Sequence, residues 1–387
     1  MRRAAAALFL AVSLTPTLEL NAEPAGIVGG ARMERVPFRA LAGWNEDDHG
    51  AAFTVFRRSC EAIVDDTPAL GSANSAMPDL RAVCRAALAV VVTDNGAARR
   101  FFETYFEPFH VTPGTGRGFL TGYFEPEYDG SLLPTDVFAT PLLARPDDLV
   151  TVPQGEALPG LDPRFRAARR RLGGFEPYPD RGAIEDGALG SRARPILYLR
   201  DPVEAFVIHV QGSARIRLDD GRVVRVAYAG RNGHPYTSIG RILVERGHIA
   251  PDAMSLEALT AWLRSNPGEA GSIMRQNRSY IFFRLADELD LDEGPIGGAG
   301  VPLTPGRSLA VDRTLWSYGL PFWLEGELPV APALSEPLRR LMIAQDTGTA
   351  IVGPARGDYF FGTGREAGTR AGLLRHGARF VVFLPKS

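Results

Sequence analysis

The chain has 387 residues, a length that favours two or three domains at roughly 150 residues per domain. Hydrophobic residues make up 45% and charged residues 23%, which is the composition of an ordinary globular protein and excludes a disordered chain. The formal net charge of −2 gives no overall electrostatic case for nucleic acid or an anionic membrane as a partner.

The first 22 residues have the pattern of a secretory signal peptide. Met1–Arg3 is a short basic region, Ala4–Leu14 is apolar, and a polar stretch follows up to a cleavage position near Ala22. The apolar run is too short to span a bilayer. No cysteine stands near the cleavage position for lipidation. We therefore expect an exported protein that is soluble after cleavage.

Helical periodicity dominates the next hundred residues. Residues 23–47 are predicted to be irregular. From His49 to Val64 apolar side chains recur at three- and four-residue spacing, which predicts a first helix. The same pattern predicts a second helix over Asp79–Val92 and a third over Ala97–Tyr105.

The two cysteines of the chain, Cys60 and Cys84, fall in the first two predicted helices. An even number of cysteines in an exported chain favours a disulfide between neighbouring helices. Two buried free thiols are the alternative. The six histidines are scattered and no metal-binding spacing is present, so we expect no metal site and no cofactor.

Short strands are predicted from Gly118 to about Gly240. The clearest signal is a hairpin, in which two alternating runs flank the turn Asp219–Gly221. The predicted strands are Val137–Leu143, Pro195–Leu199, Phe206–Gln211, Ala214–Leu218 and Arg222–Tyr228.

The helical period returns at Ile239–Glu245 and at Ser255–Asn266. A second β region begins at Asn277 and ends with Arg379–Leu384. The order is therefore helices, strands, helices, strands. It predicts an α+β, β-rich fold in which one β domain interrupts a domain of helices and strands.

Two aspartates near the end of the chain are the strongest candidates for chemistry. Asp346 and Asp358 lie 358 − 346 = 12 residues apart, and each adjoins a β-prone run with a glycine-rich link between them. Two neighbouring strands would bring the carboxyl groups together, and burial would then raise a pKa enough to keep one carboxyl protonated. The alternative is that both aspartates hold turns.

Three further polar constellations stand at predicted strand ends, namely Thr121–Glu125, His209–Ser213 and Tyr228–Tyr236, and Asp312 lies upstream of the two aspartates. Buried polar groups of these types often serve only as structural hydrogen-bond partners. Nucleophile elbows, phosphate loops and dinucleotide motifs are absent from the sequence. What remains is carboxylate chemistry, which indicates polysaccharide cleavage.

The chain resembles the membrane-bound lytic murein transglycosylase A family along most of its length after residue 22. The resemblance is specific because separate motifs occur in the family's order. The matching segments are Thr121–Pro126, Val210–Ser213, Tyr228–Gly240, Asn277–Phe283, Val311–Arg313, Gln345–Gly348 and Gly357–Tyr359.

The resemblance implies a double-ψ β-barrel that packs with the N-terminal helices. The main domain would be discontinuous, over 23–124 and 240–387, with a three-aspartate region at about 277–386. A second, barrel-like β domain would be inserted at 125–239, with a glycan-binding groove between the two domains.

The implied activity is an exo-acting lytic transglycosylase of peptidoglycan. It would cleave the β-1,4 bond between N-acetylmuramic acid and N-acetylglucosamine and leave a 1,6-anhydromuramyl end. One carboxyl group suffices for this reaction because the C6 hydroxyl of the sugar is the intramolecular nucleophile. The implied protein is a periplasmic monomer that binds glycan strands, with contacts to the outer membrane and to cell-wall synthesis proteins left open.

The resemblance assigns the acid and base role to Asp358, with Asp346 and Asp312 as supporting residues. The predicted substrate-binding residues are Thr121, Tyr123, Glu125, Gln211, Asn232, His234 and Tyr236. Thr349 and Val352 depart from the glycine and lysine of the family pattern, which predicts the loss of one basic contact. The two cysteines also lie outside that pattern.

Two alternatives remain at the level of the sequence. A related barrel can bind cell-wall glycans or loosen the wall without cutting the strands, although such a protein has no need of Asp358. A hydrolase that adds water would need a second catalytic carboxylate, which Asp346 or Glu125 would supply.

Overall fold

The computed structural model describes residues 24–70, 73, 78–114, 116–153, 156–163, 165–286, 290, 292–331 and 333–386. The predicted signal peptide lies outside these residues. Among them, no helix combines the length and the apolar character that crossing a membrane requires.

The helices lie in three groups along the chain, before, within and after the predicted strand region. They are α1 His49–Val64, α2 Pro78–Ala89, α3 Asn95–Tyr105, α4 Arg181–Glu185, α5 Pro202–Gln211, α6 Ile239–Glu245, α7 Leu256–Ser265, α8 Pro267–Arg275 and α9 Gly364–Leu373.

The described part of the chain contains eighteen strands. The first half contains β1 Pro24–Val28, β2 Ala31–Arg35, β3 Phe106–Thr112, β4 Gly118–Glu125, β5 Glu127–Ser131, β6 Thr140–Leu143, β7 Leu149–Thr151, β8 Ala167–Arg171 and β9 Gly174–Pro177. The second half contains β10 Pro195–Leu199, β11 Ser213–Leu218, β12 Val223–Arg231, β13 Ile281–Leu285, β14 Ser308–Val311, β15 Pro321–Ala331, β16 Leu334–Asp346, β17 Arg356–Thr363 and β18 Arg375–Pro385.

A closed barrel forms the centre of the larger sheet. Its strands follow the order β18-β15-β16-β14-β17-β4, and β4 closes the barrel by pairing with both β17 and β18. The pairs β14–β16 and β17–β4 are parallel, and the other neighbours are antiparallel. Strands β3, β2 and β1 extend the sheet from β18.

The first three helices pack against this barrel. Phe53, Phe56 and Phe102 from the helices share one buried cluster with Trp323 and Phe383 from the strands. Burial of such large apolar side chains is the main term that stabilises the domain. A disulfide joins Cys60 of α1 to Cys84 of α2 next to this core.

The second sheet has the order β13-β12-β11-β5-β10-β6, and a small sheet β7-β8-β9 lies beside it in sequence. The predicted hairpin is present, since β11 and β12 pair in an antiparallel register from Ser213 opposite Ala227 to Arg217 opposite Val223. Strand β13 is the last strand in this order, and a parallel bridge joins its Phe283 to Ala144, directly after β6 at the other end. The predicted boundaries of the inserted domain at 125 and 239 stay a prediction.

Two predictions of local structure are wrong. Phe206–Gln211 is the end of helix α5 and not a strand, so His209 and Gln211 lie on a helix. A continuous apolar run does not distinguish a buried strand from a buried helix. The deciding signals flank the run: Asp201 caps the helix by accepting from the Glu204 backbone N–H, and Gly212 ends it with a φ of 86°.

The segment from residue 24 to residue 35, predicted to be irregular, is the antiparallel hairpin of β1 and β2. Its turn is Gly29–Gly30, both with positive φ, which is a sequence signal for a two-residue hairpin turn. The predicted strand over Val137–Leu143 is shorter in the structure, where β6 begins at Thr140.

Candidate active site

Three neighbouring strands of the barrel bring the candidate carboxyl groups into one row. Ala310 of β14 pairs with Asp346 on one side and with Asp358 on the other, and Asp358 in turn pairs with Thr121 of β4. Laterally paired residues point to the same face of a sheet, and adjacent strands are about 4.8 Å apart. Asp346 and Asp358 are therefore two strand spacings apart, on the order of 10 Å, with Ala310 between them.

Asp358 is half-buried and takes part in a short chain of hydrogen bonds. The Thr121 hydroxyl donates to Asp358 Oδ1 at 2.5 Å, and Arg356 Nη2 donates to Thr121 Oγ1 at 2.8 Å. Burial raises the pKa of Asp358 to about 6, against the opposing effects of the Arg356 charge and the Thr121 hydrogen bond. The charge of Asp346 raises this pKa further. Such a carboxyl exchanges a proton readily near neutral pH.

Asp346 ends β16 and holds a turn. Its Oδ1 accepts from the backbone N–H groups of Gly298 at 2.7 Å and Thr347 at 2.8 Å. Burial raises the pKa of Asp346, although these hydrogen bonds favour the charged form. The residue therefore combines the turn-holding role with a charge beside Asp358.

Two phenol groups lie next to Asp346. The hydroxyl groups of Tyr123 and Tyr318 are buried. Tyr123 interacts with the Asp346 carboxylate, whereas the Tyr318 hydroxyl has no hydrogen-bond partner within the described part of the chain. Burial and the charge of Asp346 both raise the pKa of each tyrosine, so both hydroxyls are protonated. A buried hydroxyl without a partner, such as that of Tyr318, is available to hydrogen-bond a ligand.

Asp312 holds a loop. Its Oδ1 accepts from the backbone N–H and the hydroxyl of Thr314 at 2.9 and 2.7 Å, and its Oδ2 accepts from the Gly353 N–H at 2.7 Å. These contacts fix the segment between β16 and β17 against the end of β14. The contacts of Asp312 are those of a structural residue.

Glu125 is fully buried and joins the barrel to the second sheet. Its carboxylate accepts from Arg225 Nε at 2.8 Å, from Arg215 Nε at 3.0 Å and from the Thr363 hydroxyl at 2.9 Å. Both arginines lie on the second sheet, whereas Glu125 and Thr363 end barrel strands. These contacts compete directly with a role in substrate binding, which stays a prediction.

We expect Glu125→Gln to destabilise the fold by about 3–5 kcal/mol, because it leaves the buried Arg225 charge without its partner. Urea unfolding measures this difference. The matched control is Glu127→Gln, which breaks an exposed pair with Arg217 and should cost less than about 1 kcal/mol. Equal stability of the two variants would contradict the structural role of Glu125.

The other predicted binding residues differ in their position. The Asn232 side chain donates to the carbonyls of Pro179 and Arg278 and accepts from the Tyr280 N–H, so its polar atoms serve the fold. His234 is buried, and its Nε2 lies 2.7 Å from the Tyr178 carbonyl oxygen. Their roles in substrate binding stay predictions.

Gln211 and Tyr236 lie closer to the row of carboxyl groups. Gln211 Oε1 accepts from the Phe124 N–H at 3.1 Å, which places the end of α5 against β4. Tyr236 is half-buried, and after burial the Asp358 charge contributes to raising its pKa. The structure thus brings Thr121, Tyr123, Asp346 and Tyr236 together around Asp358.

Sequence reasoning missed Arg356, which lies two residues before Asp358 on β17 and therefore on the same face of the strand. The alternation along this strand was the signal that could have found it. It also missed the contact in which Arg231 Nη1 donates to Thr349 Oγ1 at 2.7 Å. Val352, the second departure from the family pattern, is 72% exposed.

No group of three or more His, Cys, Asp or Glu side chains in the described part of the chain has an arrangement that would hold a metal ion. The row around Asp358 has proton-transferring and hydrogen-bonding groups of its own. It offers one carboxyl group that exchanges a proton near neutral pH, with hydroxyl and guanidinium donors around it.

Comparisons with known proteins agree with this architecture. Residues 119–284 match the MltA specific insert domain, and residues 307–384 match the 3D domain. The crystal structure of a membrane-bound lytic murein transglycosylase from Agrobacterium tumefaciens is 38% identical, with a TM-score of 0.81 over 91% of this chain and 97% of that chain. The chain belongs to the MltA family. The predicted family and the α+β fold with a barrel and a second β domain are confirmed.

Two further relatives support the same membership. The monoclinic form of MltA from Neisseria gonorrhoeae is 33% identical, with a TM-score of 0.74 over 94% of this chain and 96% of that chain. The membrane-bound lytic murein transglycosylase A of Vibrio cholerae serotype O1 is 33% identical over 205 residues, which cover 52% of this chain and 54% of the relative. In that sequence comparison, the chain spans about half the length of the curated relatives it matches.

Proposed function

We propose that this MltA-family chain is a lytic transglycosylase of peptidoglycan, a lyase that forms 1,6-anhydromuramyl ends. Its relatives are named lytic murein transglycosylases. The observation that carries the proposal is the position of Asp358, whose carboxyl group has a pKa of about 6 and accepts a hydrogen bond from Thr121.

The proposed reaction uses Asp358 twice. The protonated carboxyl donates its proton to the oxygen of the bond between N-acetylmuramic acid and N-acetylglucosamine, and the bond from C1 to that oxygen breaks. The C6 hydroxyl of the muramyl residue then attacks C1, and the Asp358 carboxylate takes the hydroxyl proton. Intramolecular attack has a high effective molarity, so the reaction needs no second catalytic carboxylate. It also consumes no water.

Neighbouring groups prepare Asp358 for this role. With a pKa of about 6, roughly a tenth of the carboxyl groups are protonated at pH 7, against about a thousandth for an unperturbed aspartate. Asp346 supports the protonated form through its charge. Because Glu125 is committed to Arg215 and Arg225, it is a poor second carboxylate for a hydrolase.

The products of digestion test this proposal. Mass spectrometry of purified peptidoglycan treated with the wild-type protein should detect muropeptides with 1,6-anhydro ends, and Asp358→Ala should release none. Products with reducing ends would indicate a hydrolase and overturn the proposal. Binding without any products would indicate a wall-binding protein and overturn it as well.

The finer features of this function are also part of the proposal. The pattern of residues 1–22 supports export to the periplasm. Attack from strand ends, a monomeric state and contacts with cell-wall synthesis proteins or the outer membrane remain predictions from the family resemblance.

A further inference from the structure

Three arginines from three separate segments meet beside the loop that links β16 to β17. Arg166 precedes β8, Arg231 ends β12 and Arg313 follows β14. Arg231 and Arg313 are half-buried, and Arg166 is exposed. We call Arg166, Arg231 and Arg313 the arginine cluster.

Hydrogen bonds connect the three segments that carry these arginines to the loop or to one another. Arg231 donates to Thr349 of the loop at 2.7 Å. The residue before Arg313 accepts from the Gly353 N–H at the other end of the same loop. The backbone N–H of Arg166 donates to the Gly233 carbonyl at 3.4 Å, two residues after Arg231.

The packing at Gly233 is close. A Cβ atom there would lie 2.3 Å from the Ala167 backbone nitrogen, so the Arg166 segment lies directly on the segment that follows Arg231. The backbone segments that carry Arg166 and Arg231 are therefore in contact, beside the loop that Arg231 binds through Thr349. Burial lowers the pKa of Arg231, Tyr228 opposes this effect, and the positive charges of Arg313 and Arg166 lower the pKa further.

The cluster has no carboxylate counter-ion within the described part of the chain. The ion pairs found there involve other arginines, and the one side-chain hydrogen bond from the cluster goes to the neutral hydroxyl of Thr349. Like charges held together without an acidic partner repel one another, and an external anion relieves that repulsion. Guanidinium groups bind carboxylates in a planar, two-point geometry.

The cluster borders the row of carboxyl groups on the side of Asp346. Asp346 raises and Arg313 lowers the pKa of Tyr318, so both charges lie near this tyrosine. A Cβ atom at Gly298, whose N–H binds Asp346, would lie 2.5 Å from the Tyr318 hydroxyl oxygen. A strand bound across Asp358 and Asp346 would continue toward the arginine cluster.

We propose that the arginine cluster binds a carboxylate carried by the muramyl residues of the substrate strand. This inference rests on the proposed function, because it takes peptidoglycan as the ligand. Each muramyl residue bears a lactyl group, whose carboxyl is either free or linked to a stem peptide with carboxylates of its own. The free lactyl group and the stem peptide both offer a carboxylate. The ligands used in the test distinguish these two sources.

Binding measurements in an Asp358→Ala background test the proposal without any cleavage of the ligand. The probes are glycan strands with stem peptides, strands with free lactyl carboxylates, and chitohexaose, which has no carboxylate. The variant combines Arg166→Gln and Arg313→Gln, which leaves the Arg231–Thr349 contact in place. The control is Arg57→Gln, which removes an exposed charge from α1.

We expect the double variant to lose about tenfold in affinity for carboxylate-bearing strands relative to chitohexaose. The Arg57→Gln control should keep the ratio of affinities that Asp358→Ala alone shows for carboxylate-bearing strands and chitohexaose. Rising ionic strength should reduce the difference in affinity between Asp358→Ala and the double variant made in it. A relative loss only with peptide-bearing strands assigns the stem-peptide carboxylate, and a loss only with peptide-free strands assigns the lactyl carboxylate. A loss with both kinds of strand shows that the cluster accepts either carboxylate.

Equal changes for all three probes, or no change, would overturn the assignment of the cluster. Because binding is measured in a variant without Asp358, this result is independent of whether the wild type forms anhydro products. The failure of the arginine assignment and the failure of the proposed reaction are therefore distinguishable.

Discussion

Asp358→Asn should reduce the rate of strand cleavage by at least about a thousandfold while the protein remains folded. The amide keeps the size of the side chain and still accepts a hydrogen bond from Thr121, but it neither donates an acidic proton nor removes one. Both proton transfers of the proposed reaction are therefore lost. Release of soluble muropeptides from purified peptidoglycan measures the rate, and circular dichroism checks the fold.

The same substitution should stabilise the protein at neutral pH. Burial raises the pKa of Asp358 from its usual value near 3.8 to about 6, so between these values the folded state holds more protons than the unfolded state. The stability supplied by this group is fully present below pH 4 and is lost as the pH rises through 6. The loss amounts to about 3 kcal/mol for a shift of this size.

Because asparagine does not titrate, Asp358→Asn avoids this loss. Urea unfolding should give the variant a larger free energy of unfolding than the wild type at pH 7.5 but not at pH 4. Asp136→Asn, at an exposed position, serves as the control and should follow the wild type at both pH values. Cleavage of strands by Asp358→Asn at more than a tenth of the wild-type rate would rule out Asp358 as the acid.

The sequence predicted the elements whose signal is local. Helices α1 to α3 follow from apolar spacing, and the hairpin of β11 and β12 follows from alternation around a turn. Helix α5 was missed because consecutive residues from Val203 to His209 are all buried. The sequence therefore shows no alternation of apolar and polar residues at helical spacing. Only its capping residues carried the information.

The site shows a similar division. The spacing of Asp346 and Asp358 pointed to two strands, and the barrel places these strands on either side of β14. The Thr121–Asp358 hydrogen bond joins residues 237 positions apart, and no local pattern encodes such a contact. The arginine cluster likewise depends on three distant segments, which only tertiary packing brings together.

Arg356 should control the pH at which Asp358 works. Its guanidinium group lies beside Thr121 and lowers the pKa of Asp358. In the wild type, kcat/KM should fall as the pH rises through about 6, because the first step needs the protonated carboxyl. In Arg356→Gln the pKa rises, and this limb should move to higher pH by about one unit.

A pH profile of kcat/KM on isolated glycan strands measures the shift. Arg356→Lys keeps the charge but loses the planar donor pair, so its limb should lie between those of the wild type and Arg356→Gln. A purely structural role of Arg356 would lower stability and leave the limb at its wild-type pH. That outcome would contradict the proposed effect on Asp358.

Thr121→Val separates the two routes by which Arg356 can act. The variant removes the hydrogen bond to Asp358 Oδ1, which also lowers the pKa, so its own limb should move to higher pH. If Arg356 acts through its charge, the shifts of the two single variants add in the double variant. If it acts by orienting the Thr121 hydroxyl, the double variant shifts no further than Thr121→Val. Because the positive charge of Arg356 itself lowers the pKa of Asp358, we expect the shifts to add.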